Sequence, residues 1–98
     1  MQFIVTAYNG ADVLEKRKAN RGRHLENLSN IKGKVICAGG IFDDDGRQEG
    51  SVLVMDFDSR ELLDDYLKNE PFVLEKIWEK IEVKPMNVVI LNGEKIGK

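Results

Sequence analysis

Four runs of strand character and two stretches of helical period follow one another in a single order, and that order leaves few folds open. Gln2 to Tyr8 (QFIVTAY) is rich in β-branched and aromatic residues and stops at Asn9-Gly10, a turn dipeptide. Asp12 to Ile31 has helical period, with Asp12 placed to cap it and Glu15 three residues on completing a capping-box pattern. Gly22 inside this helix costs about 1 kcal/mol relative to alanine. Lys34–Phe42 (KVICAGGIF) and Gly50–Phe57 (GSVLVMDF) read as strands, joined through the polar DDDGRQE as an antiparallel hairpin. Asp58 or Ser59 then caps a second helix, Asp58 with Glu61 fitting a capping box, and Leu62, Leu63, Tyr66 and Leu67 give it an apolar face. Asn69-Glu70-Pro71 ends it, because a residue before proline is pushed towards extended geometry. A short turn over Phe72–Ile77, a last strand over Glu79–Leu91 bent or bulged at Pro85, and a loose polar tail from Asn92 to Lys98 complete the chain.

The order β-α-β-β-α-β is the ferredoxin-like arrangement, an α+β fold with a four-stranded antiparallel sheet. Ninety-eight residues suit one domain spanning residues 1–98 with its own core. Both alternating faces of FIVTAY, VICAGGIF and VLVM carry apolar or small side chains, whereas two helices cover only one face of such a sheet. A second copy is the simplest cover for the other, so a homodimer packed sheet to sheet, a dimeric α/β barrel, is expected.

Several function classes drop out. Residues that are 42% hydrophobic and 33% charged make an ordinary globular composition, and a net charge of −2 offers no global field for nucleic acid. One cysteine, Cys37, forbids an intramolecular disulfide, and one histidine, His24, leaves no cluster with metal-ligand spacing. Asp43, Asp44 and Asp45 lack the alternating ligands of a calcium loop and read as a solvated hairpin tip. No GxGxxG, P-loop, GxSxG or HExxH is present, so no cofactor is expected. No apolar run approaches the roughly 20 residues that span a bilayer, and the first residues do not resemble a secretory signal. A cytoplasmic protein without a membrane partner is the expectation.

The chemistry-bearing residues concentrate on the first helix. At 100° per residue Leu14, Arg17, Arg21, Leu25 and Leu28 share one stripe, with His24 at its edge, while Lys16, Arg23, Glu26 and Asn27 point away. Arginine is almost never fully buried without a partner, so two guanidiniums on an apolar face need a carboxylate or phosphate. The plainer alternative pairs them with acids elsewhere in the chain and leaves His24 as a packed residue. Glu70, at a helix end before PFVL, is a candidate base or a partner orienting His24; the plainer role is a solvated end-of-helix glutamate. Gly39-Gly40 inside a strand marks either a bulge or a place where a ligand approaches the backbone, and Ser51 on the facing strand can add a hydroxyl. Cys37, Phe72 and Trp78 read as core.

Taken in order, QFIVTAY, Glu15, Arg17, Arg21 with His24-Leu25, Ala38-Gly39-Gly40, Gly50-Ser51 and Pro71-Phe72-Val73 resemble the YciI-like family of the dimeric α/β-barrel group over nearly the whole chain. The resemblance implies a ferredoxin-like protomer, a dimer, and a site built on the family's histidine and an aspartate. The histidine carries over to His24. The acidic position of the family's Asp-Pro-Phe/Tyr motif falls on Glu70, one methylene longer, and Gly40 stands where the family usually has proline. Activities implied by the group are cofactor-free dehydrochlorination of a substituted hydroquinone and isomerisation of a muconolactone; fold analogy alone does not fix chemistry. The expected function is therefore a cofactor-independent lyase or isomerase on a small anionic or phenolic, cyclic compound. In it His24 and Glu70 form the acid/base pair, Arg17 and Arg21 hold the anion, and Gly39, Gly40 and Ser51 line the substrate pocket. The alternative is a non-catalytic dimeric domain that binds a small anion in the same place.

Overall fold

The structure, a computed structural model, describes residues 1–97. Its elements are β1 (Gln2–Asn9), α1 (Leu14–Ser29), β2 (Gly33–Phe42), β3 (Gln48–Phe57), α2 (Arg60–Asn69), α3 (Pro71–Leu74) and β4 (Trp78–Met86). A small hairpin of β5 (Ile90–Leu91) and β6 (Glu94–Lys95) follows. The main sheet runs β2-β3-β1-β4 with every neighbour antiparallel, the α+β arrangement that the order of periods specifies.

Side chains alternate across this sheet with period two, and the two faces differ. Phe3, Val5 and Ala7 of β1 and Leu53, Met55 and Phe57 of β3 are buried on one face. Leu63 and Tyr66 of α2, Phe72 of α3, Ile77 and Trp78 close that core. Each fully buried large apolar side chain there contributes about 1.5–3 kcal/mol. On the opposite face Ile4 pairs with Val54 and Thr6 with Val52, all only half-buried. Across from Ile4 and Thr6, β4 presents Lys84 and Glu82.

Local details refine or depart from the sequence reading in five places. Asp12 does not cap α1: it adopts a left-handed φ of 56°, the N-cap is Val13, and no side chain caps the helix. At α2 the structure selects Ser59 from the two candidate caps, its hydroxyl accepting from Leu62 N (3.3 Å), so the Asp58–Glu61 capping box does not form. The last strand ends at Met86, and Ile90–Leu91 instead pairs with Glu94–Lys95, inside the stretch read as a loose tail. Pro85 causes no register shift, because it sits on an edge strand; the irregularity lies at Tyr8/Asn9. Cys37 is exposed rather than core, since β2 is the other edge.

Candidate functional site

Helix α1 touches the rest of the molecule chiefly through α3, and its buried residues are Asn20 and His24. The stripe Leu14, Arg17, Arg21, Leu25 and Leu28 is therefore not a core face as a whole, and of its leucines only Leu28 packs against the core. The stripe forms one wall of an open cleft of about 470 Å³, whose floor is Ala38, Gly39 and Gly40 of β2 and Ser51, Val52 and Leu53 of β3. That volume falls in the range of small-molecule sites. Leu14 and Leu25 remain half exposed, apolar groups at the mouth of the cleft. Lys18 joins Arg17 and Arg21 in the lining, which includes no carboxylate.

Pro71 organises the acid. It forces Glu70 into an extended conformation (φ −69°, ψ 121°), which ends α2 and starts α3. The Glu70 side chain then turns inward, fully buried, and Oε1 accepts from Phe72 N (3.1 Å). His24 Nδ1 lies 2.6 Å from the same oxygen, and the Tyr66 hydroxyl donates to Oε2 (2.5 Å). The carboxylate thus meets three hydrogen-bonding groups, as a buried acid requires. Since carboxylate oxygens accept, Nδ1 carries the imidazole proton in this bond. Nε2 has no hydrogen-bond partner among the described residues and is the ring nitrogen left as an acceptor. The ring is clamped by Phe72, stacked at 4.1 Å, and by the edge of Trp78 at 5.5 Å. Burial, then the neighbouring Glu70 carboxylate and the hydrogen bond to it, push the Tyr66 hydroxyl far above the usual tyrosine range, so it stays a donor.

Arg17 is built in from several sides. Its Nη1 donates to Asn9 Oδ1 (2.9 Å), its Nη2 to Ser51 Oγ (2.6 Å), and its guanidinium lies 4.9 Å from the centre of the Phe72 ring. Burial, and secondarily Arg21, hold its pKa below the ordinary arginine value. Ser51 is itself placed by Gly50, where an added Cβ would lie 2.0 Å from Ala7 O, so the two strands close only over glycine. By register Gly40 pairs with Ser51 and Gly39 with Val52, so Gly40 shares the cleft side and Gly39 contributes backbone to the lining. The ladder is unbroken at the two glycines; its shifts fall at Val35/Cys37 and Ile41/Phe42.

A family model of the YCII-related domain matches residues 1–87. The chain belongs to the YCII-related family. Protein YciI of Escherichia coli O6:H1 is 29% identical over 97 residues, spanning 91% of this chain and 99% of that protein. A Haemophilus influenzae protein is 27% identical over the same shares. Among solved structures, 5-chloro-2-hydroxyhydroquinone dehydrochlorinase from Burkholderia phenoliruptrix, in complex with 2,5-dihydroxybenzoquinone, superposes with a TM-score of 0.78 at 24% identity. That superposition covers 88% of this chain and 93% of the dehydrochlorinase. It shares the YCII-related fold seen here.

Of the seven residues singled out in the sequence, six line the one cleft, and Glu70 stands directly behind His24. Three participants were not singled out. Tyr66 reads as part of an apolar helix face, Asn9 as a turn residue and Phe72 as packing. A signal existed for Tyr66, which lies four residues before Glu70 and so on the same side of the chain's helical path. None existed for Asn9, which reaches Arg17 because the β1/β4 register shift falls at that residue. Among the described residues no group of His, Cys, Asp or Glu could hold a metal ion, and no helix is long and apolar enough to cross a membrane.

Proposed function

We propose that this chain is a cofactor-independent lyase or isomerase that moves a proton on a small, cyclic, anionic or phenolic compound held in the cleft under α1. The observation that carries this reading is His24: clamped, backed by Glu70 at 2.6 Å, and left with Nε2 unpartnered beside a cationic cleft. In the reaction an ionised substrate oxygen meets Arg21, with Lys18 and Arg17 adding positive potential. Nε2 removes a proton from a carbon beside a neutral carbonyl of the same ring. The C–H pair becomes the new C=C bond and the carbonyl π pair moves onto its own oxygen, whose developing charge is stabilised by the same cations. The imidazolium that forms is stabilised by Glu70. An isomerase then returns the proton at another carbon; a lyase expels a leaving group with its bonding pair. Positioned acid/base groups of this kind contribute about 10² to 10⁴-fold. The relative that acts on a chlorinated hydroxyhydroquinone supports a flat oxygenated ring as the ligand class.

The assay is deuterium exchange at acidic ring and α-carbon positions of a panel of cyclic enols and phenols, followed by NMR. His24→Gln is expected to lower exchange at least 100-fold while the affinity for 2,5-dihydroxybenzoquinone stays within about twofold. Exchange unchanged in His24→Gln would remove His24 as the base, and a parent protein that binds the ligand without exchanging any position would favour the non-catalytic small-anion receptor.

The working form in this proposal is a homodimer. Supporting it, the sheet face away from the helices carries Ile4, Val52, Val54 and Ile41, apolar side chains that stay only half-buried.

A further inference from the structure

Tyr66 fills core space that phenylalanine would fill as well: it is 5% exposed and its ring lies 6.3 Å from that of Phe57. Its hydroxyl is what needs explaining. That oxygen has been carried into the protein interior, four residues from Glu70, and ends on Glu70 Oε2 rather than in water. Glutamate has one more rotatable bond than aspartate, and its two oxygens are interchangeable by rotation. Oε1 is already fixed by Phe72 N. A donor on Oε2 completes the constraint, because both oxygens then have a designated direction.

We propose that Tyr66 is a positioning residue of the site, which, by donating to Glu70 Oε2, holds Oε1 against His24 Nδ1 and so fixes the imidazole as the Nδ1–H tautomer with Nε2 bare towards the cleft. The inference rests on the reading of His24 as the base, and it adds a residue on the far side of the helical layer. Tyr66 borders a second cleft of about 270 Å³ between α1 and α2, lined also by Asn27 and Asn69. Tyr66, Glu70 and His24 thus form one hydrogen-bonded file from that second cleft to the first. Removing the hydroxyl leaves Oε2 buried without a donor, free to rotate towards Nδ1 or to take up a proton. Either change loosens the link that dictates which imidazole nitrogen is protonated.

The test uses the full chain, labelled with ¹⁵N, and long-range proton–nitrogen correlation at the single imidazole. The parent protein is expected to show two well-separated ring nitrogens, the protonated one being Nδ1. In Tyr66→Phe the two nitrogen shifts should converge as tautomers mix, and exchange turnover should fall about tenfold, the scale of one lost hydrogen bond to a charged group, with affinity for 2,5-dihydroxybenzoquinone unchanged. Phe57→Leu disturbs the packing around the Tyr66 ring but keeps the hydroxyl, and should leave the His24 nitrogens where they are. The proposal is overturned if Tyr66→Phe leaves the nitrogen shifts unmoved, or if both variants move them alike. A parent protein with Nε2 protonated instead contradicts the His24–Glu70 arrangement itself, which separates that failure from failure of the Tyr66 role alone.

Discussion

Arg17 directs both terminal nitrogens at protein oxygens, whereas among the described residues no hydrogen bond or ion pair fixes Arg21, which is exposed along the same cleft. The two arginines therefore divide the work: Arg17 shapes the wall, and Arg21 is the cation available to a ligand. Arg21→Gln should weaken binding of 2,5-dihydroxybenzoquinone about tenfold or more by calorimetry, with a change in stability below about 0.5 kcal/mol. Arg17→Gln should instead lower stability by about 1–3 kcal/mol in denaturant unfolding, since it leaves Asn9 and Ser51 without their donor and strips the cation from Phe72. Tyr66 makes a separate prediction about pH. Its pKa is raised on folding, so its contribution is complete below the unfolded value of about 10 and is lost as pH rises beyond it. Stability should fall more steeply above about pH 10 in the parent than in Tyr66→Phe, with a difference in slope of up to about 1.4 kcal/mol per pH unit. At this scale the sequence exposes residue types but not partners. His24 and the arginines stand out because charged and titratable groups on an apolar stripe are uncommon. Glu70 could be read either way, because a glutamate before proline looks the same whether its side chain faces water or lies at 0% exposure.

Helix α1 shows what periodicity does and does not determine. The period of Leu14, Arg17, Arg21, Leu25 and Leu28 gives a shared face, and the structure keeps them on one wall. What that face looks at depends on where the helix rests, and α1 rests on α3, with His24 stacked on Phe72, leaving the stripe along the cleft over β2. The capping error at Asp12 has a similar cause. Asp tolerates both the cap position and left-handed backbone, and here it takes the second, at φ 56°, two residues before α1 begins. Gly22 offers a clean check on the helix. A Cβ there meets nothing within 4 Å, so the glycine serves neither close approach nor turn. Gly22→Ala should stabilise the protein by about 0.5–1 kcal/mol in thermal or denaturant unfolding.

Across the whole molecule, the order of elements was legible because each strand and helix has a distinct period, and the sheet follows from it in the order β2-β3-β1-β4. The apolar second face was legible for the same reason, at the central strands, while Glu82 and Lys84 of β4 give it a charged border. The β5/β6 hairpin was not, since a two-residue pairing depends on a turn at Asn92-Gly93 with both residues at positive φ rather than on any apolar pattern. The proposed dimer can be tested on that face. Val54→Lys, placed opposite Ile4 on the central strands, should convert a dimer to a monomer in sedimentation equilibrium. A monomeric parent protein would contradict it. Val54 points to the face opposite Ser51 and Gly40 of the cleft, so ligand binding should survive the substitution.

The central claim is that His24 meets its ligand through Nε2 while Glu70 holds Nδ1. His24 is the only histidine, so its ring nitrogens need no assignment. The most direct measurement is to follow them by NMR while 2,5-dihydroxybenzoquinone is added. A large, saturable displacement of Nε2, with Nδ1 nearly still, is the result this account predicts. Saturable binding seen elsewhere in the spectrum with neither nitrogen displaced, or with Nδ1 responding in place of Nε2, would contradict it.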